Sequence, residues 1–258
     1  MTLGEAAGMA SPLGFAVAGA AVLLAGFLRG FVGFGAALIT VPVLSVIFTP
    51  AIAVAITFIS GLPTVIQLLP TAVRHAERAL ALPLTVGALL LAPAGAYLLI
   101  SIDPRALKIG IAVAVIVMVG FLQTGWRPRR PPGWRALFGV GAAAGLIQGI
   151  AGIGGPPVVA VVLARPSPPI VQRANLIAAV TALSLSTALP FWRLGLFTET
   201  ALWLSLFFVP AHMAAAMLGA RYFAKGGQRH FRKAALAILA VIGVATFIAA
   251  LQDYIAHG

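Results

Sequence analysis

Long apolar runs, separated by short polar or proline-containing stretches, extend along almost the whole chain. They cover residues 13–48, 51–69, 80–100, 106–122, 135–164, 169–189, 201–219 and 234–252. A helix needs about 17 to 25 apolar residues to span a bilayer, and the runs reach that length. The two-residue alternation of a membrane β-barrel is absent. The pattern therefore predicts an all-α polytopic membrane protein. Prolines mark the predicted ends of the segments or lie between them, among them Pro50, Pro70, Pro104, Pro168 and Pro190.

The composition supports this prediction. Of the 258 residues 61% are hydrophobic and 9% are charged, with a mean hydropathy of +1.08, whereas soluble domains carry roughly 25% charged residues. The net charge of +12 falls in short loops between apolar runs. We interpret it as charge that sets topology, and expect no nucleic-acid partner. The absence of cysteine excludes disulfides and thiolate metal sites. No basic flank precedes the first apolar run, so no cleavable signal peptide is predicted.

Basic residues gather in alternate loops and predict an orientation in a bacterial inner membrane. Cytoplasmic loops carry an excess of Lys and Arg, which places residues 70–79, 123–135, 165–173 and 220–233 in the cytoplasm. The opposite side keeps Arg105, Lys108 and Arg193, together with the acidic residues Glu5, Asp103, Glu199 and Asp253. Segment 135–164 must then begin and end in the cytoplasm. It is either a re-entrant hairpin or two short crossings that turn at its glycines. The same reasoning for segment 13–48 makes both termini external.

Two glycine-rich stretches occupy equivalent places in the sequence. Residues 29–44 read RGFVGFGAALITVPVL and residues 148–163 read QGIAGIGGPPVVAVVL. They align without gaps, and the same shift places Pro50 on Pro169. In both halves, three further apolar segments follow the broken one. This order predicts a repeated architecture.

The repeats divide the chain into an N-terminal half, 1–124, a cytoplasmic basic linker, 125–134, and a C-terminal half, 135–258. The first half starts outside and the second starts inside. The halves are therefore predicted to be inverted-topology repeats, each with a glycine-broken hairpin and three transmembrane helices. Secondary transporters commonly have this construction and bind substrate near the midplane.

The glycines predict a place where each helix breaks and restarts. A restarted helix presents unpaired N–H groups and the positive end of its dipole. Two such N-termini that face each other would bind an anion without a metal. The alternative is that the glycines only let helices pack closely. The backbone positions of this candidate anion site are Gly33, Phe34, Gly35, Gly152, Gly154 and Gly155.

The two stretches resemble the paired glycine-rich motifs of the sulfite exporter TauE/SafE family, also called the toluenesulfonate uptake permease family. The resemblance covers nearly the whole chain in length, segment order and the loop between the halves. Residues Gly155-Pro156-Pro157 depart from it, because many members have another glycine and an aliphatic residue there. The resemblance implies transport of small sulfur-containing anions such as sulfite, sulfoacetate or other organosulfonates. Members differ in substrate and direction, so the resemblance fixes neither.

Arg29 is the one basic residue that we place inside the apolar region away from a loop. A charge at mid-membrane costs about 2.5 to 3.5 kcal/mol on insertion scales, and such residues usually have a function. The planar guanidinium suits an oxyanion such as a sulfonate. Alternatively, Arg29 extends along its helix to the cytoplasmic surface.

Other polar side chains inside the segments are candidate ligands. We expect substrate binding by Gln148, which aligns with Arg29, and by Asn175, Thr57 and His212, with Thr181 as a further donor. Each has a structural role as its alternative, and His212 would bind either substrate or a proton. Arg173, near the cytoplasmic end, is interpreted as a topology charge that could also attract anions to the inner mouth.

All five carboxylates fall in predicted loops or tails, which disfavours a buried carboxylate that carries sodium or protons. We therefore expect an uncoupled carrier that exports anions by alternating access, without cofactor or metal. An uptake permease and an anion channel remain alternatives. A scaffold and an intramembrane enzyme are the other classes, and an enzyme would need paired carboxylates, a serine with His212 or a metal cluster. The small size leaves a homodimer open.

Overall fold

The computed structural model describes residues 11–123 and 132–226. Within these residues the chain forms nine α-helices and no strand. They are α1 (Pro12–Val32), α2 (Ala36–Ile47), α3 (Pro50–His75), α4 (Arg78–Ser101), α5 (Pro104–Gln123), α6 (Trp134–Ala151), α7 (Gly155–Ala164), α8 (Pro169–Arg193) and α9 (Glu199–Ala224). Both termini, most of the basic linker and the predicted segment 234–252 lie outside the described residues.

Six helices are long and apolar enough to cross a membrane: α1, α3, α4, α6, α8 and α9. Many large apolar side chains on their outer faces are exposed, among them Leu89 and Leu90 on α4 and Phe207 on α9. Such exposure is expected where a helix contacts lipid tails. The prediction of an all-helical polytopic membrane protein is confirmed.

Each glycine-broken segment consists of two helices that meet at a left-handed glycine. Gly33 has φ 92° and ends α1, and its N–H donates to the carbonyl of Arg29. Gly152 has φ 68° and ends α6, and its N–H donates to the carbonyl of Gln148. Only glycine adopts such φ values readily, which is why glycine stands at both breaks. The shift that places Gly33 on Gly152 also aligns the starts of α2 and α7 and those of α3 and α8.

The helices extend further than the apolar pattern indicated. Pro70 lies inside α3 and Pro190 inside α8, so their prediction as segment ends is wrong. In a membrane helix, neighbouring groups can satisfy the carbonyl that a proline leaves free. The predicted loops 70–79 and 165–173 shrink to residues 76–77 and 165–168. Pro63, Pro93 and Pro210 also lie inside helices, where a proline is a candidate position for a kink.

The broken helix of each half packs against a helix of the other half. A Cβ on Gly30 of α1 would lie 1.9 Å from the carbonyl oxygen of Ala216 on α9. A Cβ on Gly149 of α6 would lie 2.4 Å from the carbonyl oxygen of Ala92 on α4. Gly30 and Gly149 occupy equivalent positions in the two halves. Close packing therefore explains Gly30 and Gly149, while the αL glycines make the breaks.

Both breaks are buried in the apolar core. Phe34 lies between the two glycines of the first break and is 3% exposed, and Ile153 lies at the corresponding place in the second break and is 1% exposed. Both belong to the largest apolar cluster of the described residues. This packing fixes the ends of α2 and α7 around one cavity.

Candidate functional site

A small cavity of about 60 Å³ lies where the two breaks come together. A cavity needs about 10 to 15 Å³ to hold a single water, so this one exceeds that minimum and suits a compact anion. Its walls come from both half-helix starts and from α3, α8 and α9. The lining residues used below are Arg29, Phe34, Gly35, Ala36, Ala37, Leu38, Thr57, Phe58, Gly61, Gln148, Gly152, Gly155, Pro156, Val180, Phe191 and His212.

Arg29 places a buried positive charge at this cavity. Its side chain is 5% exposed, and Nη1 donates to the carbonyl of Gly33 at 3.1 Å. No carboxylate lies within ion-pair distance of it among residues 11–123 and 132–226, and its other N–H groups have no partner there. A buried unpaired charge is costly. An anion in the cavity would supply a partner for this charge.

Gln148 occupies the equivalent place in the second half, and it binds its own break. Its Oε1 accepts a hydrogen bond from the N–H of Gly154 at 3.0 Å, in a buried setting. That bond fixes the orientation of the amide and leaves the NH₂ group as the free end. Because Gln148 also lines the cavity, this group is a hydrogen-bond donor available to a ligand.

His212 on α9 is the second buried polar side chain without a satisfied partner at the cavity. It is 2% exposed, and neither ring nitrogen makes a hydrogen bond of acceptable geometry. The backbone of Val22 approaches the ring. Buried polar groups normally have partners. An imidazole N–H that faces the cavity would acquire one from a bound oxyanion.

Thr57 lines the cavity but does not donate to it. Its hydroxyl donates to Oγ1 of Thr40 at 2.8 Å, and the Thr40 hydroxyl in turn donates to the carbonyl of Ala36. Because a carbonyl can only accept, the direction of this chain is fixed. Thr57 therefore presents lone pairs, so the structure places it as a support for α2 and not as a donor to an anion.

Four other predicted residues lie off the cavity. Asn175 accepts the N–H of Glu77 at 2.7 Å, and Thr181 is buried without a partner away from the lining. Gly33 and Gly154 belong to the breaks but do not line the cavity. A Cβ on Gly33 would lie 2.8 Å from Ile177, and one on Gly154 would lie 2.2 Å from the carbonyl of Ala144.

Arg173 differs from its interpretation as a loop charge. It lies within α8, is 5% exposed, and donates through Nε to the carbonyl of Phe31 at 3.0 Å and through Nη2 to that of Gly30. Its guanidinium also stacks over Phe223, 4.4 Å from the ring centre. The arginine therefore binds the carbonyl end of α1. The sequence could not show this, because the partners are backbone atoms of the other half.

The sequence reasoning missed some of the lining. Ala36 and Ala37 contribute backbone N–H groups at the start of α2, and no hydrogen bond to them occurs within the described residues. Phe58 and Phe191 form an aromatic wall, edge to face at 5.8 Å. Because Ala36 and Ala37 form the first turn of the restarted helix, the sequence could have indicated that their N–H groups belong to the site. Nothing distinguished the phenylalanines from other apolar residues.

Across the part of the chain that the structure describes, no group of three or more histidine, aspartate or glutamate side chains could hold a metal ion. The groups that line the cavity are instead a cation, a side-chain amide and backbone N–H groups, which together form a set of donors for an anion.

A family model described as Sulfite exporter TauE/SafE matches residues 18–246. No curated protein and no solved structure matches the chain.

Proposed function

Because the chain belongs to the sulfite exporter TauE/SafE family, we propose that it exports small sulfur-containing anions across the inner membrane through the cavity between its two helix breaks. It is a multi-pass membrane transporter and not an enzyme. Sulfite is the preferred cargo, and small organosulfonates belong to the same class. The observation that carries the proposal is the buried, unpaired Arg29 at a cavity with room for a compact anion.

The donor set supports the proposal. The guanidinium of Arg29, the free N–H groups at the start of α2, the Gln148 amide and His212 all line one space. Charge-assisted hydrogen bonds to an oxyanion are roughly twice as strong as neutral ones. The N-terminus of α2 adds a partial positive charge of about one half.

In the proposed mechanism the halves are inverted repeats that rock about the cavity and expose it to each side in turn. The equivalent breaks, the aligned helix starts and the reciprocal packing of α1 on α9 and α6 on α4 support two related halves. With the cell interior negative, each exported negative charge gains about 2.3 kcal/mol per 100 mV. Export therefore needs no coupled ion.

The test uses proteoliposomes loaded with sulfite under an inside-negative potential. We expect saturable efflux that accelerates with the potential and is lost in Arg29→Gln, which copies the residue found at the equivalent place in the second half. Arg221→Gln is the matched control, because Arg221 is exposed at the end of α9. Efflux that survives Arg29→Gln would place the anion elsewhere.

Two further readouts separate the alternatives. Discrete single-channel openings in a planar bilayer would identify a channel. Transport that stops when a proton gradient is collapsed at constant potential would show coupling, and would remove the argument for export.

A further inference from the structure

The two half-helix starts at the cavity are unequal as hydrogen-bond donors. A helix leaves its first four N–H groups without intrahelical partners. At the start of α2, Leu38 donates back to the carbonyl of Gly35. Gly35, Ala36 and Ala37 keep N–H groups that no acceptor among the described residues takes.

The start of α7 has almost no free donors. Pro156 and Pro157 have no N–H, and the N–H of Gly154 is held by Gln148. The N–H of Gly155 has no acceptor among the described residues. Pro156 itself lines the cavity, so an apolar ring stands where the first half presents a donor.

Side chains reinforce the asymmetry. Arg29 is the one cation that lines the cavity within the described residues, and His212 is 2% exposed with both nitrogens unpartnered. Besides the Gln148 amide and Gly155, the wall around α7 includes Ile153, Pro156, Val180 and the aromatic pair Phe58 and Phe191. Ser184 also lines it, but its hydroxyl donates to the carbonyl of Val180 and is not free for a ligand. The cavity therefore has a donor-rich side and an apolar side.

We infer that Pro156 and Pro157 are specificity-determining residues, which make this cavity select a sulfur oxyanion with oxygens on one side only. The sulfur of sulfite carries three oxygens and a lone pair, and the sulfur of an organosulfonate carries three oxygens and a carbon. Sulfate has a fourth oxygen, which would face the proline side without a donor. A buried acceptor without a partner is costly. The single cation also favours a monoanion, such as an organosulfonate or hydrogensulfite, over the sulfate dianion. This inference rests on the proposed function, because it concerns the same cavity.

The test is calorimetric titration of the purified full-length protein with methanesulfonate and with sulfate at equal ionic strength. These anions have nearly the same shape, but methanesulfonate has a methyl group in place of one oxygen and carries one negative charge fewer. The change in the affinity ratio on replacing the prolines isolates the effect of the fourth oxygen, because the charges of the anions are the same for each variant. We expect wild type to bind methanesulfonate at least tenfold more tightly. Replacing both prolines, Pro156→Ala with Pro157→Ala, creates two N–H donors at the start of α7. It should tighten sulfate binding about tenfold and leave methanesulfonate affinity little changed.

Pro169→Ala is the matched control, since Pro169 opens the first turn of α8 and does not line the cavity. It should leave the ratio of the two affinities unchanged. The single variant Pro156→Ala, a milder change, should give a smaller shift in the same direction if the double variant does not fold. An unchanged ratio in folded proline variants overturns the inference, as does equal binding of both anions by wild type. If wild type binds neither anion, the inference fails, and the sulfite efflux assay decides separately whether the proposed function stands.

Discussion

Replacing Arg173 should destabilise the protein more than replacing any exposed arginine. In Arg173→Met the apolar stem remains, but the carbonyls of Gly30 and Phe31 lose their donors. A hydrogen bond to a charged group contributes about 1.5 to 3 kcal/mol, so the loss of two predicts about 3 to 6 kcal/mol. Native proteins have only about 5 to 15 kcal/mol in total. The carbonyls lie at the buried end of α1, so removal of the arginine leaves them without a donor from the protein.

The assay is the free energy of unfolding of the purified protein in detergent, followed by tryptophan fluorescence. Arg221→Met is the control, because Arg221 is exposed on α9 and should change stability by no more than about 0.5 kcal/mol. Arg173→Lys should fall between wild type and Arg173→Met, since an ammonium keeps the charge and lacks the planar fork. Equal stabilities for Arg173→Met and Arg221→Met would refute the reasoning.

Three further substitutions test the helix breaks and the packing. Gly35→Ala should destabilise the protein by about 1 to 2 kcal/mol in thermal unfolding, because the φ angle of Gly35 is 94°, although the space around it is open. Gly61 is helical and has equally open surroundings, so Gly61→Ala, the control in the same assay, should be neutral or slightly stabilising. Gly30→Ala should sharply reduce the yield of folded protein on size-exclusion chromatography, because its Cβ would overlap the backbone of α9. Asn175→Ala should cost about 1 to 3 kcal/mol of unfolding free energy, because it leaves the N–H of Glu77 without its acceptor, and should leave sulfite affinity unchanged.

Each of these outcomes has a clear contrary. Equal stability of Gly35→Ala and Gly61→Ala would show that the first break does not need a left-handed residue. Wild-type yield of Gly30→Ala would contradict the close approach of α1 and α9. A loss of sulfite binding in folded Asn175→Ala would show that Asn175 contributes to the binding site.

The sequence predicted the helical class and the location of both breaks because these depend on local chemistry. Long apolar runs need helices to satisfy their backbone in lipid, and a cluster of glycines is the cheapest place for a left-handed turn. Helix ends were less predictable. Pro70 looked like a terminus, but α3 continues through it to His75, because its neighbours decide whether the free carbonyl is tolerated.

The site was predictable for the residues whose chemistry is unusual in an apolar segment. Arg29, Gln148 and His212 do line one cavity. Asn175 and Arg173 show the limit of that reasoning. Both are buried polar side chains, yet one holds the N–H of Glu77 and the other holds the carbonyl end of α1. Only the tertiary packing of the two halves shows which polar group meets the cavity and which meets a backbone atom.

The contacts that join the halves near residues 76–77 and 165–168 differ greatly in strength, and this decides which would control an opening there. Arg165 and Glu77 form an ion pair at 2.8 Å, but their side chains are 24% and 40% exposed. Such pairs contribute about 0 to 1 kcal/mol. Arg173 lies nearby, reaches from α8 to α1, and its two buried hydrogen bonds contribute several times more. Separation of the halves there therefore depends on the release of α1 by Arg173. The same residue lies directly behind Gly33, with its carbonyl oxygen 3.3 Å from the Cβ position of that glycine. Arg29 donates to the carbonyl of Gly33 from the cavity side. Both arginines therefore contact the same glycine, and we expect a displacement of Arg173 to change the position of the buried cation.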